Sequence, residues 1–586
     1  MINFAEQDEK TKKNLIAGIK SLFPIKGRKN TLEITDLSID TTNVASNLSK
    51  QKDIKLKGKT LSENMVGTFV LKDENGKVID TQKMKIMDVP AITERSTYII
   101  KGTEYNVPYQ FRIRPGVYSR VQDDGNLTAL VNLAKGSNFK VTLDDEDEKF
   151  YLLYKGSKIP LYPVLTSLGK TRSEIESVWG KELVDINSDV KEEQVLRKLH
   201  AKMGGEPGGD LSEVQLGIES VFNDTVIDET TTKKTLGKPF SKVDANLLLR
   251  TSKKLLNIKK GDEDPDERDS LRFKSVHGLD DFMNERIKAQ EYKIKRSILN
   301  RVDIYDDIKK IVSPSNFNNP INSLFHDGSL ALAATPKQAN PVSLAGEATK
   351  ITLTGAGGIT NPETVTDEAR SVHPSSIGLI DPMYTPESGR IGLTLHMPVA
   401  ATREGDTLTT TVLNAKTMKE ERIDASVIEE KNISFMDEFE RDGKKIKPKN
   451  KKVRAYTSGG KIGYIDPKDV DYIIPDGTML FSSTTNLIPF LQNTHSNRGM
   501  MGAKMISQAL PLADPEAPLV QPVLMNQPIH KIYGEGYVTR AKDDGVVKKI
   551  TDSEIVIRHG KKDESYPYYK NFPLNEGHFF DDKVVV

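Results

Sequence analysis

Cysteine is absent from this chain of 586 residues, and tryptophan occurs only once. Without cysteine the protein can form neither disulfide bonds nor thiolate zinc sites. The nine histidines are scattered and show no paired-ligand spacing such as HExxH, so we predict no metal site in this chain alone. No apolar run approaches the length that crosses a bilayer, and the first residues lack the apolar core of a signal peptide. These absences favour a reducing cytoplasm and no membrane contact.

An excess of one charge is also missing. Lysine and arginine number 84 against 83 aspartates and glutamates, which gives a formal net charge of +1. Proteins that bind nucleic acid on their own usually carry a strong basic excess, whereas a subunit that lines one wall of a channel needs only a local basic patch. The charge therefore leaves nucleic-acid binding open. The length predicts several domains.

The most informative stretch is residues 368–397, where prolines and glycines flank short apolar runs. Proline fixes φ and glycine permits positive φ, so the pattern predicts a rigid, tightly turned loop. It carries four polar side chains: Arg370, His373, Glu387 and Arg390. Rigid loops that carry polar groups are common places for binding and catalysis.

A second informative stretch, residues 496–511, has a helical pattern. Asn497, Met501, Lys504 and Gln508 fall at i, i+4, i+7 and i+11, which places them on one face. Arg498 lies in the first turn of this helix. A fixed guanidinium can bind a triphosphate through two hydrogen bonds. The alternative is a methionine-rich packing helix with a surface arginine.

Both stretches resemble the β subunit of bacterial-type multisubunit RNA polymerases. Residues 370–374 (RSVHP) and 382–393 (PMYTPESGRIGL) are similar to the family patterns R-D-V-H-P and P-x-E-T-P-E-G-x-N-I-G-L. The match departs at Tyr384, Ser388 and Arg390, where the family usually has Glu, Gly and Asn. In the family this is the fork region, beside the active centre and the RNA–DNA hybrid.

Further matches follow the family order along the chain. Residues 486–491 (NLIPFL) and 496–511 (SNRGMMGAKMISQALP) resemble S-L-I-P-F-L and A-N-R-A-L-M-G-A-N-M-Q-R-Q-A-V-P. Weaker matches are residues 92–104, 338–343 and 355–360, the second of which corresponds to the family's rifampicin-binding cluster. Lys337, Glu347 and Thr352 stand where drug-sensitive enzymes carry Asp, His and Ser, so we predict resistance to rifampicin.

The resemblance implies roles for individual residues. Arg498 would reach the phosphates of the incoming nucleotide, together with Asn497, Met501 and Gln508. The side chains expected to face nucleic acid or the hybrid are Glu387, Arg390, Arg370, His373, Gln338, Asn340, Lys350 and Lys504. No catalytic residue is expected in this chain, because in the family the Mg²⁺ ions are bound by aspartates of the β′ subunit.

The family continues beyond the matched region with an N-F-E-D segment and two lysines that face the RNA end, and neither is found here. The resemblance therefore predicts the N-terminal half of a split β subunit from a large bacteriophage, which acts in the cytoplasm of the infected cell. The expected partners are the C-terminal half of β, β′-type subunits, template DNA, nascent RNA, nucleoside triphosphates and a promoter-specificity factor. The competing hypothesis is a non-catalytic β-like scaffold or virion protein that binds no nucleotide.

The predicted fold class is a multidomain α/β mixture. By resemblance, residues 1–110 and 300–340 form the protrusion, 111–299 the lobe and 341–480 the fork, and 481–586 begin a hybrid-binding double-psi barrel region that another chain completes. Local patterns predict helices at 10–23, 188–203 and 279–298, and β-rich segments at 30–130 and 401–480. Thr171 and Glu174 have the spacing of a capping box, and Trp179 is predicted to be a core residue rather than a base-stacking platform.

Overall fold

Alternating and helical hydrophobic patterns both appear as regular elements in the computed structural model. It describes residues 4–40, 47–206, 208–326, 332–333, 340–442, 445–524, 527–536 and 538–585. The mixed α/β class is confirmed at this level. The chain divides into two units, one formed by Met1–Arg112 with Val276–Val586 and the other by Ile113–Ser275. The domain names and boundaries inferred from the resemblance stay predictions.

The first unit begins with a helix and a long antiparallel sheet in the order β1-β2-β3-β4. Its elements up to the unit boundary are α1 (Phe4–Lys20), β1 (Ile25–Lys26), β2 (Asn30–Asp40), α2 (Leu48–Leu56), β3 (Ser62–Asp73), β4 (Val78–Pro90), β5 (Tyr98–Ile100), β6 (Thr103–Asn106) and β7 (Tyr109–Ile113). The opening helix ends three residues earlier than predicted, at Lys20. The apolar side chains Leu15 and Ile19 of α1 are fully buried in the core above this sheet.

The second unit is a five-stranded antiparallel sheet in the order β12-β11-β10-β9-β8, followed by helices. Its elements are β8 (Gly116–Val121), β9 (Leu127–Asn132), β10 (Phe139–Leu143), β11 (Phe150–Tyr154), β12 (Ser157–Pro160), α3 (Leu161–Ser167), α4 (Arg172–Trp179), α5 (Lys181–Ser188), α6 (Glu192–Met203), α7 (Leu211–Asn223), α8 (Glu229–Leu236) and α9 (Ala245–Lys260). The helix predicted to start at residue 188 starts at Glu192 instead.

Two local predictions in the second unit are confirmed. Thr171 and Glu174 form the reciprocal capping box of α4. Trp179 is buried, stacks on Phe150 at 4.5 Å between ring centroids, and donates its indole N–H to Ser252 Oγ at 2.7 Å. The tryptophan is therefore a core residue whose polar atom has a partner.

The chain returns through β13 (Lys274–His277) to the first unit, where helices α10 (Leu279–Ala289), α11 (Glu291–Val302), α12 (Ile308–Ile311) and α13 (Ser315–His326) complete the core of the first sheet. The predicted helix 279–298 is thus two helices with a break at Gln290. Next come β14 (Leu332–Ala333), α14 (Pro341–Ala348), β15 (Lys350–Thr352), α15 (Asp367–Arg370) and β16 (Thr394–His396). Strand β15 pairs with β16 on one side and with β7 on the other.

Residues 401–480 form a β-rich segment, as their pattern predicts. The elements are β17 (Ala401–Glu404), β18 (Thr407–Asn414), β19 (Glu420–Asp424), α16 (Ala425–Glu430), β20 (Ile433–Phe435), β21 (Phe439–Asp442), β22 (Lys445–Pro448), β23 (Val453–Thr457), β24 (Lys461–Ile465) and β25 (Tyr472–Ile474). Seven of these strands make one sheet, with β17-β18-β25-β20-β23-β24 in order and β19 against β18.

The last part of the first unit carries two helices that matter for the site, α17 (Ser483–Asn486) and α18 (Ser496–Gln508). The remaining elements are β26 (Val523–Leu524), β27 (Gln527–Pro528), α19 (Ile529–Glu535), β28 (Val546–Ile550), β29 (Glu554–His559), β30 (Lys562–Pro567), β31 (Phe572–Pro573) and β32 (Phe579–Phe580). Among the helices that the structure describes, none combines the length and the apolar character that a membrane crossing needs.

Candidate functional site

A buried carboxylate joins the two stretches that the sequence singles out. Asp381 is 1% exposed and accepts hydrogen bonds from the backbone N–H of Met383 at 2.8 Å and of Ser482 at 2.8 Å. Thr485 Oγ1, in the short helix α17, donates to the same carboxylate at 2.6 Å. A buried charge is tolerated when it is hydrogen-bonded in this way. Asp381 therefore fixes the loop of residues 381–397 against α17, which packs on α18.

Arg370 holds the other side of the same loop. Its guanidinium donates to four backbone carbonyls, those of Pro362 (2.6 Å), Val365 (3.2 Å), Gly389 (2.9 Å) and Ile391 (3.1 Å). The loop is thus rigid, as its prolines and glycines predict, but the structure uses Arg370 to hold the backbone. That Arg370 also faces nucleic acid stays a prediction.

One glycine of the loop is required by its surroundings. Gly392 has a φ of +68°, and a Cβ at this position would lie 2.2 Å from the carbonyl oxygen of Arg370. Both the backbone conformation and the close approach exclude a side chain. The second glycine of the family pattern therefore has a clear structural role here.

Glu387 and Arg390 lie on the exposed surface of the loop. Within the part of the chain that the structure describes, neither side chain takes part in an ion pair. His373 is half-buried, and its Nδ1 accepts the backbone N–H of Ser375 at 3.1 Å, which caps the 3-10 turn Pro374–Ser376. The geometry thus leaves Glu387 and Arg390 accessible, whereas His373 has a local structural contact.

Tyr384, one of the departures from the family pattern, fills space between β16 and α14. Its ring stacks on His396 at 3.7 Å between centroids, and the His396 Nδ1 lies 2.8 Å from the Tyr384 carbonyl oxygen. Burial lowers the pKa of His396 to about 3, so this imidazole is neutral at physiological pH. A Cβ on Gly346 of α14 would meet the Tyr384 hydroxyl at 2.9 Å. The tyrosine is therefore an internal packing residue.

Helix α18 has the face that its sequence predicts. Gly499 and Ala503 are buried, and a Cβ on Gly499 would contact the end of the Met383 side chain. The opposite side is open: Asn497, Arg498, Lys504 and Gln508 are exposed, and Met501 is half-buried. The predicted helix and its polar face are confirmed.

Arg498 is the residue on which the nucleotide hypothesis depends. Its Nη1 lies 3.6 Å from Met501 Sδ, and among the described residues it has no ion pair. The first turn of α18 contains no acidic residue. The positive end of the helix dipole adds to the guanidinium charge, so this end of the helix favours an anion.

Asn340 and Lys350 have hydrogen-bond or ion-pair partners within the chain. Asn340 is 7% exposed, accepts the Ser343 N–H at 2.8 Å, and donates to the Ala509 carbonyl at 2.6 Å. Lys350 forms an ion pair with Glu347 at 3.1 Å. Gln338 and Lys337, for which the sequence predicts contacts with hybrid and drug, lie outside the described residues. Whether any of these residues faces nucleic acid stays a prediction.

Sequence reasoning missed the residues that hold the site together. Asp381 follows an apolar run and precedes a proline, and this context gives no sign that the carboxylate accepts four hydrogen bonds, two of them from groups 101 and 104 residues away. Ser482 caps α17 through Thr485, and this Ser-x-x-Thr spacing is a cap signal that could have been read from the sequence.

The described residues contain no cluster of three or more His, Asp or Glu side chains that could hold a metal ion. Binding of Mg²⁺ by a β′-type partner accordingly stays an expectation. Helix α18 instead presents an exposed arginine, an exposed lysine and two exposed amides beside a rigid loop, and such groups can bind an anion.

Comparison with known proteins finds a family model that matches one part of this site. The family model "RNA polymerase Rpb2, domain 3" matches residues 335–402, which include α14 and the loop.

Among individual relatives, the chain is 26% identical over 583 residues to the DNA-directed RNA polymerase subunit beta of Thermosynechococcus vestitus, covering 93% of this chain and 51% of the relative. It is 25% identical over 575 residues to the DNA-directed RNA polymerase subunit beta of Gloeobacter violaceus, covering 91% of this chain and 50% of the relative. It is 26% identical over 609 residues to the DNA-directed RNA polymerase subunit beta of Syntrophomonas wolfei, covering 97% of this chain and 53% of the relative. The chain spans about half the length of the curated relatives it matches. These matches support its similarity to the N-terminal half of a bacterial β subunit.

Proposed function

We propose that this chain is the N-terminal part of the β subunit of a multisubunit DNA-dependent RNA polymerase. In this function it forms one wall of the DNA cleft and of the RNA–DNA hybrid site, and it contacts the incoming nucleotide during template-directed RNA synthesis. The observation that carries the proposal is Arg498, exposed at the positive end of α18 without a carboxylate partner among the described residues. The similarity to β subunits over nearly the whole chain supports it.

The chemistry follows from the exposed face of α18. The RNA 3′-hydroxyl gives up its proton to solvent and its oxygen bonds to the α-phosphorus of the nucleotide. The bond between the α-phosphorus and the bridging oxygen breaks, and pyrophosphate leaves with the negative charge. Arg498 would donate two parallel hydrogen bonds to the phosphates and stabilise that charge as it develops. Asn497 and Gln508 add amide donors and acceptors, and Met501 adds an apolar contact. Metal ions held by the β′-type partner would supply the Lewis acidity, because this chain offers no ligand set in its described part.

Beside this helix, the exposed Glu387 and Arg390 and the cation Lys504 are proposed to lie along the hybrid. Arg390 and Lys504 can bind phosphates without reading sequence, and Glu387 can accept hydrogen bonds from base or sugar donors. Arg370 and Asn340 hold the loop and α18 through hydrogen bonds to backbone carbonyls, and His373, Lys350 and Gln338 are proposed to join this surface.

The assembly is part of the proposal. A C-terminal half of β, β′-type subunits, template DNA, nascent RNA and a promoter-specificity factor would be its partners, in the cytoplasm of a cell infected by a large bacteriophage. The departures at Tyr384, Ser388 and Arg390 agree with a divergent, viral lineage. A second reading frame encoding the N-F-E-D segment and the two lysines would support the split.

Photocrosslinking tests the nucleotide contact directly. A nucleoside triphosphate with a photoreactive group on its γ-phosphate is bound to the purified polymerase complex on an RNA–DNA scaffold and irradiated. We expect a crosslink to the peptide that contains α18, competed by unmodified nucleotide. Crosslinks that map only to other chains would contradict the proposal and favour the β-like scaffold or virion protein.

A further inference from the structure

Asn340 connects the beginning of one helix with the end of another. Its Oδ1 accepts the Ser343 N–H at 2.8 Å and so caps the N-terminus of α14. Its Nδ2 donates to the carbonyl oxygens of Ala509 at 2.6 Å and Ile506 at 3.1 Å, at the C-terminus of α18. The last carbonyls of a helix have no partner within it, so this side chain satisfies groups of both helices at once.

The two helix ends make opposite demands on this side chain. The N-terminus of α14 needs an acceptor, whereas the C-terminus of α18 needs donors and disfavours negative charge. A neutral amide supplies one acceptor and two donors, and among short side chains only asparagine does so. Aspartate would keep the cap of α14 but would place a carboxylate against the carbonyls of α18. Serine would keep the cap but is too short to reach Ala509.

The contact between Asn340 and the C-terminus of α18 matters because a small tilt at that end of the helix displaces Arg498 at the other end. From Gln508 to Arg498 the helix rises by roughly 15 Å, so a tilt of about 5° at its end moves Arg498 by about 1.3 Å. A misplacement of about 1 Å in a group that binds the transition state can reduce the rate by roughly 100-fold. Elsewhere the helix packs through a narrow buried side at Gly499 and Ala503, which restrains tilting less than a broad interface would.

We infer that Asn340 is a positioning residue that sets the orientation of α18 and thereby the place of Arg498. This inference rests on the proposed function, because it assigns the consequence to nucleotide addition. It also differs from the prediction that Asn340 contacts nucleic acid, since its donor and acceptor atoms are used between the two helices.

The test is a double-mutant cycle in the assembled polymerase, measured as kcat/KM for single-nucleotide extension on an RNA–DNA scaffold. Asn340→Asp removes the amide donor that α18 uses, and it should lower kcat/KM by at least roughly 3- to 10-fold, which is the usual effect of losing a single hydrogen bond. In the Arg498→Ala background the same change should have less than about a twofold effect, because the two residues act as a unit. Asn340→Ser should behave in the same way.

A matched control is Asn47→Asp, the same chemical change at the exposed N-cap of α2. We expect it to leave kcat/KM unchanged in both backgrounds. Hydrogen exchange of the amides in the last turn of α18 gives a second measurement, and Asn340→Asp should speed it roughly 3- to 10-fold.

The outcomes distinguish a failure of the proposed function from a failure of the positioning role of Asn340. If Arg498→Ala has no effect on extension, the proposed function fails, whatever Asn340 does. If Arg498→Ala slows extension but Asn340→Asp does not, the positioning inference is wrong and the proposed function stands. The same conclusion follows if the reduction in kcat/KM of the double mutant equals the product of the reductions in the two single mutants.

Discussion

Replacement of Arg498 by alanine should leave the protein folded and slow nucleotide addition strongly. The side chain is exposed and its one described side-chain contact is with Met501 Sδ at 3.6 Å, so folding stability should change by less than about 0.5 kcal/mol. Removing a cation from the first turn of α18 even relieves a small repulsion with the helix dipole. A defect in assembly is therefore not expected.

The kinetic effect follows from the contact that is lost. One charge-assisted interaction with the departing phosphates contributes about 2–4 kcal/mol to transition-state stabilisation, which corresponds to a loss in kcat/KM of roughly 30- to 900-fold. Arg498→Lys should fall between wild type and alanine, because lysine keeps the charge but loses the two parallel hydrogen bonds.

The assay is single-nucleotide extension on a preformed RNA–DNA scaffold over a range of nucleotide concentrations. Arg197→Ala is a matched control, since Arg197 is a partly exposed helical arginine that pairs with Glu193 in the second unit. It should extend RNA at the wild-type rate. Unchanged extension by Arg498→Ala at subsaturating nucleotide would refute the assignment of Arg498 to the phosphates.

Three further predictions concern stability and inhibition. Glu104 is buried between Arg95 and Lys55, at 2.7 and 2.5 Å. Glu104→Gln should destabilise the chain by about 3–5 kcal/mol in denaturant unfolding, because the buried Lys55 loses its carboxylate and the buried Arg95 keeps only its ion pair with Glu94. Burial alone would raise the pKa of Glu104, but Arg95 and Lys55 hold this pKa below its ordinary value. The stabilisation that the Glu104 carboxylate gives to the folded state should therefore be complete above about pH 5 and decline as the pH falls further. The free energy of unfolding of Glu104→Gln should depend less steeply on pH in the acid range. The assembled polymerase should resist rifampicin, since Glu347 is paired with Lys350 where sensitive enzymes carry histidine; run-off transcription inhibited at the concentrations that stop a sensitive bacterial enzyme would contradict this.

The parts of the site that could be predicted are those set by local sequence. The polar face of α18 follows from 3.6-residue periodicity, and the rigid loop follows from its prolines and glycines. Both patterns are complete within about 30 residues of chain, so no tertiary information was needed.

The supporting contacts could not be predicted, because their partners are distant in sequence. Asp381 binds groups 101 and 104 residues away, and Asn340 binds carbonyls 166 and 169 residues away. A side chain that caps two helices looks the same in sequence as one that points to solvent. The predicted role of Asn340 therefore came from the resemblance alone.

Helix α2 shows the same limit in the fold. It lies at Leu48–Leu56, within residues 30–130, for which the alternating pattern predicts β-rich structure. In the structure it is held by long-range polar contacts, with Lys52 and Lys55 donating to the carbonyls of Lys570 and Leu574 at 2.9 and 2.8 Å. Tertiary contacts of this kind override weak local preference.

Co-purification followed by RNA synthesis tests the central claim most directly. The tagged chain is isolated from cells that express it with its candidate partners, and the complex is supplied with a promoter-independent DNA template and nucleoside triphosphates. We predict that the complex contains β′-type subunits and a chain with the N-F-E-D segment, and that it makes RNA which depends on Arg498. A stable complex that contains these partners and makes no RNA, or a chain that purifies only with structural proteins, would contradict the account.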